Sequence, residues 1–234
     1  MNDKEIYENW KITPEIYRND MVKFQSWFDT TDSIKSTVSQ GHIDFHSKIL
    51  TSAVYRTIGD VKQKNCLEIG FGGGRLLNAA SKVFSNATGI DIHTCFDVTD
   101  RFLKQNGADN YKLIHANDAD SVPDESIDFV FSFIVFQHFG SIGTFYEYLD
   151  LIKRVLVRGG CCNLHLAKNT HDPNGYFIKS DIQPNTGYSS LFYGDNFVRN
   201  VLIERGFEIV EEGQMTKSPW TSNLSNQFYI TFKK

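Results

Sequence analysis

The chain has 234 residues, 41% of them hydrophobic and 22% charged, with a formal net charge of -4. That length suits one domain with an added element or two, and that apolar fraction supports a real core. No run of Lys and Arg exceeds two residues, so neither a nucleic-acid partner nor binding to an anionic membrane surface is expected.

The first residues, MNDKEIYENWK, contain no apolar stretch, so no signal peptide is expected. The longest apolar run, Phe129–Phe136, is strand-sized and broken by Ser132, which predicts no membrane span. Residues 1–60 are polar and aromatic, with Trp10, Tyr17, Trp27 and Phe45, and read as a helical N-terminal cap. One helix is predicted over His42–Ile58, from the spacing of Ile43, Ile49, Leu50, Val54 and Ile58, with Gly59 as its stop. His42 and His46 lie one turn apart on it, but two histidines are too few for a metal site, and no metal is expected.

Residues 61–234 read as the main domain, an alternation of strands and helices. Strands are predicted at Asn65–Ile69, Ala87–Ile92, Lys112–His115, Ile127–Val135 and Cys161–Ala167. Helices are predicted at Gly74–Phe84, Val98–Asn106 and Ile142–Val157, the last stopped by Gly159–Gly160. This order implies an α/β fold, a Rossmann-like, mostly parallel sheet with helices on both faces. A lid-like insertion follows at about 168–194, holding His171, Tyr176, Tyr188 and Tyr193. After a helix at Asn196–Arg205, Phe207–Glu212 and Gln227–Lys233 read as an antiparallel ribbon on the sheet edge. The four cysteines, Cys66, Cys95, Cys161 and Cys162, form no CxxC pair, which predicts reduced thiols in a cytoplasmic protein rather than a zinc site or disulfides.

The chemistry concentrates after the first strand, in CLEIGFGGGR. Gly70, Gly72 and Gly74 line a strand-to-helix turn where a ligand can meet backbone at the C-terminal edge of the sheet. Glu68, two residues before the first glycine, would repel a pyrophosphate and welcome a cationic ligand. Asp91, ending the second strand in GIDIH, stands where a ribose-binding acid belongs, and Ile92 beside it could lie on a purine ring. Asp118, after the third strand, is placed to accept from an adenine amino group.

These segments, in this order, resemble the class I S-adenosylmethionine-dependent methyltransferases, particularly their small-molecule, type 11/25-like branch. CLEIGFGGGR resembles the family's first motif and GIDIH its second. NDADSVPDESIDFVFS resembles the segment leading into the fourth strand, FIVFQHF the run after it, LIKRVLVRGG the helix and turn before the fifth, and GFEIVE the start of the sixth. Phe71 departs from the small residue often found between the first two glycines. The resemblance implies a seven-stranded sheet with an antiparallel last strand, S-adenosylmethionine as cofactor and S-adenosylhomocysteine as product. It implies that Asn117, Asp118, Ala119 and Phe133 join Glu68, the glycines, Asp91 and Ile92 in holding the cofactor.

For methyl transfer, His138 is the expected base, and His165, ending the fifth strand, is the second histidine at that edge. Gln137, His138, His171, Tyr188 and Tyr193 are expected to meet the acceptor, a small-molecule substrate. The cap's aromatics and histidines with Arg18, Arg56, Lys168 and Lys179 suit a polar metabolite, neutral or anionic (a sugar derivative, a phosphorylated intermediate or a carboxylate), methylated on oxygen or nitrogen, and the aromatics leave a large flat aromatic acceptor open. A homodimer is left open. The rival readings are a binding or regulatory subunit without catalysis and an NAD-dependent oxidoreductase; the intact Glu68, Gly70, Gly72 and Asp91 argue against the first, and Glu68 against the second.

Overall fold

A computed structural model describes residues 3–29, 31–179, 189–215 and 226–234. Four helices come first: α1 Asp3–Ile12, α2 Met21–Phe28, α3 Ile34–Asp44 and α4 Ser52–Ile58. The single helix predicted over His42–Ile58 is therefore broken. α3 ends at Asp44, a widened π turn covers Phe45–Ile49, and Leu50 leaves helical geometry at φ -89, ψ 65. Thr51 then caps α4, its hydroxyl accepting from the Val54 amide. Burial explains the break: Phe45, Ile49 and Leu50 all enter the core, Phe45 packing on Phe131.

The sheet follows as β1 Asn65–Ile69, α5 Arg75–Ser81, β2 Asn86–Asp91, α6 Phe96–Gln105, β3 Tyr111–His115, β4 Ile127–Phe133, α7 Ile142–Val155 and β5 Leu156–Ala167. α7 stops at Val155, so Gly159 and Gly160 fall inside β5 instead of ending the helix; Gly159, at φ 79, donates its amide to Lys234 O. The insertion carries a small hairpin, β6 Tyr176–Ile178 with β7 Leu191–Tyr193. α8 Asp195–Glu204, β8 Glu208–Gln214 and β9 Gln227–Lys233 close the chain.

The seven strands run β3-β2-β1-β4-β5-β9-β8, with β1 to β5 parallel and β9 antiparallel to both its neighbours. The terminal ribbon is present, but β9 inserts between β5 and β8, so the edge belongs to β8. β4 is central and buried on both faces, which is why it reads as an apolar run. Leu149, Ile152 and Val198 cover one face of the sheet, and Leu77, Phe102 and Phe45 the other. The N-terminal helices do not stand apart: Phe24 of α2 packs on Cys95 and Val98.

Candidate active site

The C-terminal ends of β1, β2 and β4 open on a cavity of about 580 Å³. Its floor is the glycine loop. Gly70 sits at φ 79, and a Cβ there would stand 2.4 Å from the Val135 side chain. At Gly73 a Cβ would meet Gln25 Oε1 at 2.1 Å, while Gln25 Nε2 donates to Gly73 O at 2.8 Å. The loop is thus clamped between the N-terminal cap and the turn after β4. Gly70 and Gly72 line the cavity; Gly74 instead starts α5 and faces Thr99, with Gly73 taking its place in the wall.

Glu68 is 2% exposed, lines the cavity, and its Oε2 finds no hydrogen-bond partner among the described residues. Burial drives its carboxyl well above the usual carboxylate range; Arg75 opposes that shift and Asp91 adds to it. A buried acid without a partner on a cavity wall fits a cationic ligand group. Asp91 is differently placed. Its Oδ2 accepts from the Gly72 amide at 2.7 Å, and its Oδ1 from Ile92 at 2.7 Å and His93 at 3.2 Å. The first bond joins β2 to the glycine loop, the other two hold the carboxylate on its own turn, and together they occupy most of the roughly four acceptor sites a carboxylate has. Room remains for about one more strong donor.

Ile92, Asn117 and Ala119 line the cavity, joined by Leu151 of α7. Asp118 does not: the 3-10 turn Ala116–Ser121 leaves both Asp118 and Asp120 exposed, and it is Asp120, 3.7 Å from Arg154, that borders the cavity. Phe133 closes the far end, with the Arg75 guanidinium 5.6 Å from its ring centre. Arg75 itself bridges Asp29, at 3.3 Å, and Asp44, at 2.6 Å. Next comes Ile134 at φ 55, a left-handed conformation that a β-branched residue seldom adopts. That strain turns the chain sharply and lays the 3-10 turn Phe136–His138 along the cavity mouth.

His138 lines the cavity, and the Trp10 ring lies 4.1 Å from its own. Gln137 and Tyr193 support the turn from behind and do not line the cavity. Gln137 Oε1 accepts from Gln227 Nε2 at 2.7 Å, its carbonyl accepts from the Ser190 amide at 2.7 Å, and the buried Tyr193 hydroxyl donates to Phe136 O at 2.9 Å. Gln137 Nε2 comes within 3.5 Å of His138 Nε2. His165 is fully buried; its Nε2–H donates to Lys48 O at 3.2 Å, and burial pulls its pKa down to about 3. It lies outside the lining, as does the exposed His171. Tyr188 lies outside the described residues. His42 and His46 stack at 6.3 Å, and no group of three or more metal-binding side chains occurs among the described residues.

Sequence reasoning did not find Tyr7, Asp120, Glu147 or Tyr148, all of which line the cavity. Tyr7 and Trp10 share a face of α1 at i, i+3, and Glu147 and Tyr148 sit on α7. Only the packing of α1 and α7 over the loop reveals them. Of the expected cations, Arg18 pairs with Glu15 and Asp97, and Lys168 with Asp195; neither these two nor Arg56 nor Lys179 lines the cavity.

A family model described as a methyltransferase domain matches residues 67–164. None of the curated proteins compared matches the chain. Among solved structures, a SAM-dependent methyltransferase from Methanosarcina mazei is similar at TM-score 0.64 and 20% identity, over 79% of this chain and 98% of that one. A phosphoethanolamine N-methyltransferase from Haemonchus contortus, solved with phosphoethanolamine and S-adenosylhomocysteine, is similar at TM-score 0.66 and 14% identity, over 100% of this chain and 50% of that one. A SAM-dependent methyltransferase from Leishmania major is similar at TM-score 0.64 and 12% identity, over 97% of this chain and 83% of that one. At these identities the three share the fold.

Proposed function

We propose, from the premise that this chain carries a class I S-adenosylmethionine-dependent methyltransferase domain, that it methylates an oxygen or nitrogen of a small polar molecule held beside His138. The observation that carries the reading is Glu68, a buried carboxyl with an unpartnered oxygen directly before the glycine loop. A pyrophosphate-bearing dinucleotide would be repelled there, whereas a ligand carrying sulfonium and ammonium groups meets its countercharge.

When bound, S-adenosylmethionine supplies a methyl carbon whose bond to sulfur breaks as the acceptor's lone pair forms the new bond, the old electron pair staying on sulfur. The chain's own residues do the rest. Glu68 answers the cofactor's positive charge. Asp91, fixed by three amides, offers its remaining acceptor site to a ribose hydroxyl. Ile92, Ala119 and Leu151 give apolar walls to a flat ring. Phe133 and Ile134 shape the reacting end, and Trp10 over His138 excludes water from it. Holding reactants in line and dry supplies most of the acceleration such a displacement needs. His138, on the turn pinned by Gln137 and Tyr193, is the group placed to take the acceptor's proton. The four cysteines are all buried and free, in keeping with a cytoplasmic enzyme.

Calorimetry tests the reading. S-adenosylmethionine and S-adenosylhomocysteine should each bind at one site per chain, and NAD should not. Absence of binding by either adenosyl compound would overturn it.

A further inference from the structure

The cavity is strongly acidic. Asp29, Glu68, Asp91, Asp120 and Glu147 line it, and Arg75 is the one Arg or Lys among the described lining residues. Arg75 is already committed to Asp29 and to Asp44 behind it. A methyl donor carrying a sulfonium, an ammonium and one carboxylate brings a net charge of about +1, which leaves the carboxylates in excess. No cation is then left for an acceptor's phosphate or carboxylate, and such a group would enter the cavity unpaired.

We propose that the acceptor atom is an amine nitrogen, and that Tyr7, Trp10, Tyr148 and Glu147 form the site that receives it. The proposal rests on the methyltransferase reading and narrows its acceptor. Tyr7 and Trp10 line the cavity from α1, with Lys11 Nζ 5.7 Å from the Tyr7 ring centre and paired with Glu8, and Tyr148 and Glu147 line it from α7. Aromatic faces beside a carboxylate hold ammonium groups by cation–π and ionic attraction together. All four line the one cavity, and the Tyr148 hydroxyl is pushed above its usual range by burial first, then by Asp91, Tyr7 and Glu147. On the same cavity wall the buried Glu68 Oε2 also lacks a hydrogen-bond partner among the described residues.

The chemistry balances without a further reactant. A neutral amine uses its lone pair to form the N–C bond, the C–S bond breaks, and its electron pair stays on sulfur as a neutral thioether. Positive charge moves from sulfur to nitrogen inside one acidic cavity, so the walls face a cation before and after the step. The ammonium form of the acceptor first gives a proton to the His138 imidazole, which passes it to water. A carboxylate or phosphate acceptor would instead be repelled on entry.

The test is calorimetry on protein saturated with S-adenosylhomocysteine, using phenethylamine, 3-phenylpropionate and phenyl phosphate as probes of similar size. Phenethylamine should bind at least tenfold more tightly than either anion. Glu147→Gln should shrink that ratio at least threefold, while Asp150→Asn, altering an exposed acid paired with Arg205 on the same helix, should leave it unchanged. Equal or tighter binding of either anion, or no binding of phenethylamine, would overturn the proposal. Failure of S-adenosylhomocysteine itself to bind would instead remove the methyltransferase reading, and the same ratio measured on unliganded protein would still decide the amine inference.

Discussion

Trp10 lies across His138, ring centres 4.1 Å apart and planes tilted by 43°, although the two residues are joined by most of the Rossmann-like sheet. One belongs to the first helix and the other to the strained turn after β4, so the cap and the catalytic edge meet at this pair. A tilted aromatic contact of this kind contributes about 1 kcal/mol beyond its buried area. Trp10→Ala should lose that contact together with the one to Trp27 and so lower stability measurably. It should open the reacting end to water and lower kcat at least tenfold, with the affinity for S-adenosylhomocysteine changed less than threefold. Steady-state kinetics with calorimetry separate these effects.

His138→Ala tests the base directly. Positioned proton transfer contributes about 10²–10⁴-fold. Turnover should fall by at least 10² with cofactor affinity preserved. Turnover near that of the unaltered protein would leave His138 only a wall.

Glu68 links cofactor binding to pH. Its carboxyl titrates well above the usual range in the free protein, because burial disfavours the charged form. An acid raised in this way stabilises the fold fully below its unfolded value, near 4.5, and loses that contribution as pH climbs through the raised one. A cationic ligand reverses the preference. Binding of S-adenosylmethionine should release protons, visible as a dependence of the observed enthalpy on buffer ionisation. Glu68→Gln should abolish the release, weaken binding at least tenfold, and flatten the pH dependence of unliganded stability.

Tyr193→Phe removes one hydroxyl and leaves Phe136 O without that donor. The loss of a buried hydrogen bond of this kind costs about 1–3 kcal/mol. Urea unfolding should show it, and kcat should fall while cofactor affinity holds, because the released turn carries His138 rather than the glycine loop.

His165 supplies a second pH signature, of the opposite sign. Its pKa falls to about 3 through burial, with Lys48 O accepting its Nε2–H. A histidine lowered in this way stabilises the fold above its unfolded value, near 6.5, and that contribution is lost progressively as pH falls toward 3. Each pH unit in that window costs about 1.4 kcal/mol at most. His165→Gln should lose part of this slope between pH 7 and pH 5, measured by urea unfolding.

The strands and the glycine loop were legible because their signals are local. Parallel strands buried on both faces must be apolar runs, as β1 and β4 are, and a turn at φ 79 selects glycine at Gly70. Glu68 and Asp91 could be picked out because each ends a strand beside that loop. Other features depend on partners distant in sequence. The helix over His42–Ile58 breaks because Phe45, Ile49 and Leu50 enter a core built largely from later strands, and the Lys48 carbonyl meets His165, 117 residues away. Asp118 and Asp120 look alike as sequence, and both are exposed; only the sense of a short 3-10 turn sets Asp120 and not Asp118 at the rim of the cavity.

By itself the sequence determined the alternation of elements, the glycine loop and the acid before it, because backbone conformation and strand burial constrain residues within a few positions of each other. The tertiary structure decided which side chains share the cavity. It buried His165, set Gln137 and Tyr193 behind His138, kept Arg18, Arg56, Lys168 and Lys179 out of the wall, and brought Tyr7 and Glu147 into it. A cavity's charge depends on which distant segments pack together, and no local pattern encodes that. Among the described residues, that packing leaves the cavity wall with more carboxylates than cations.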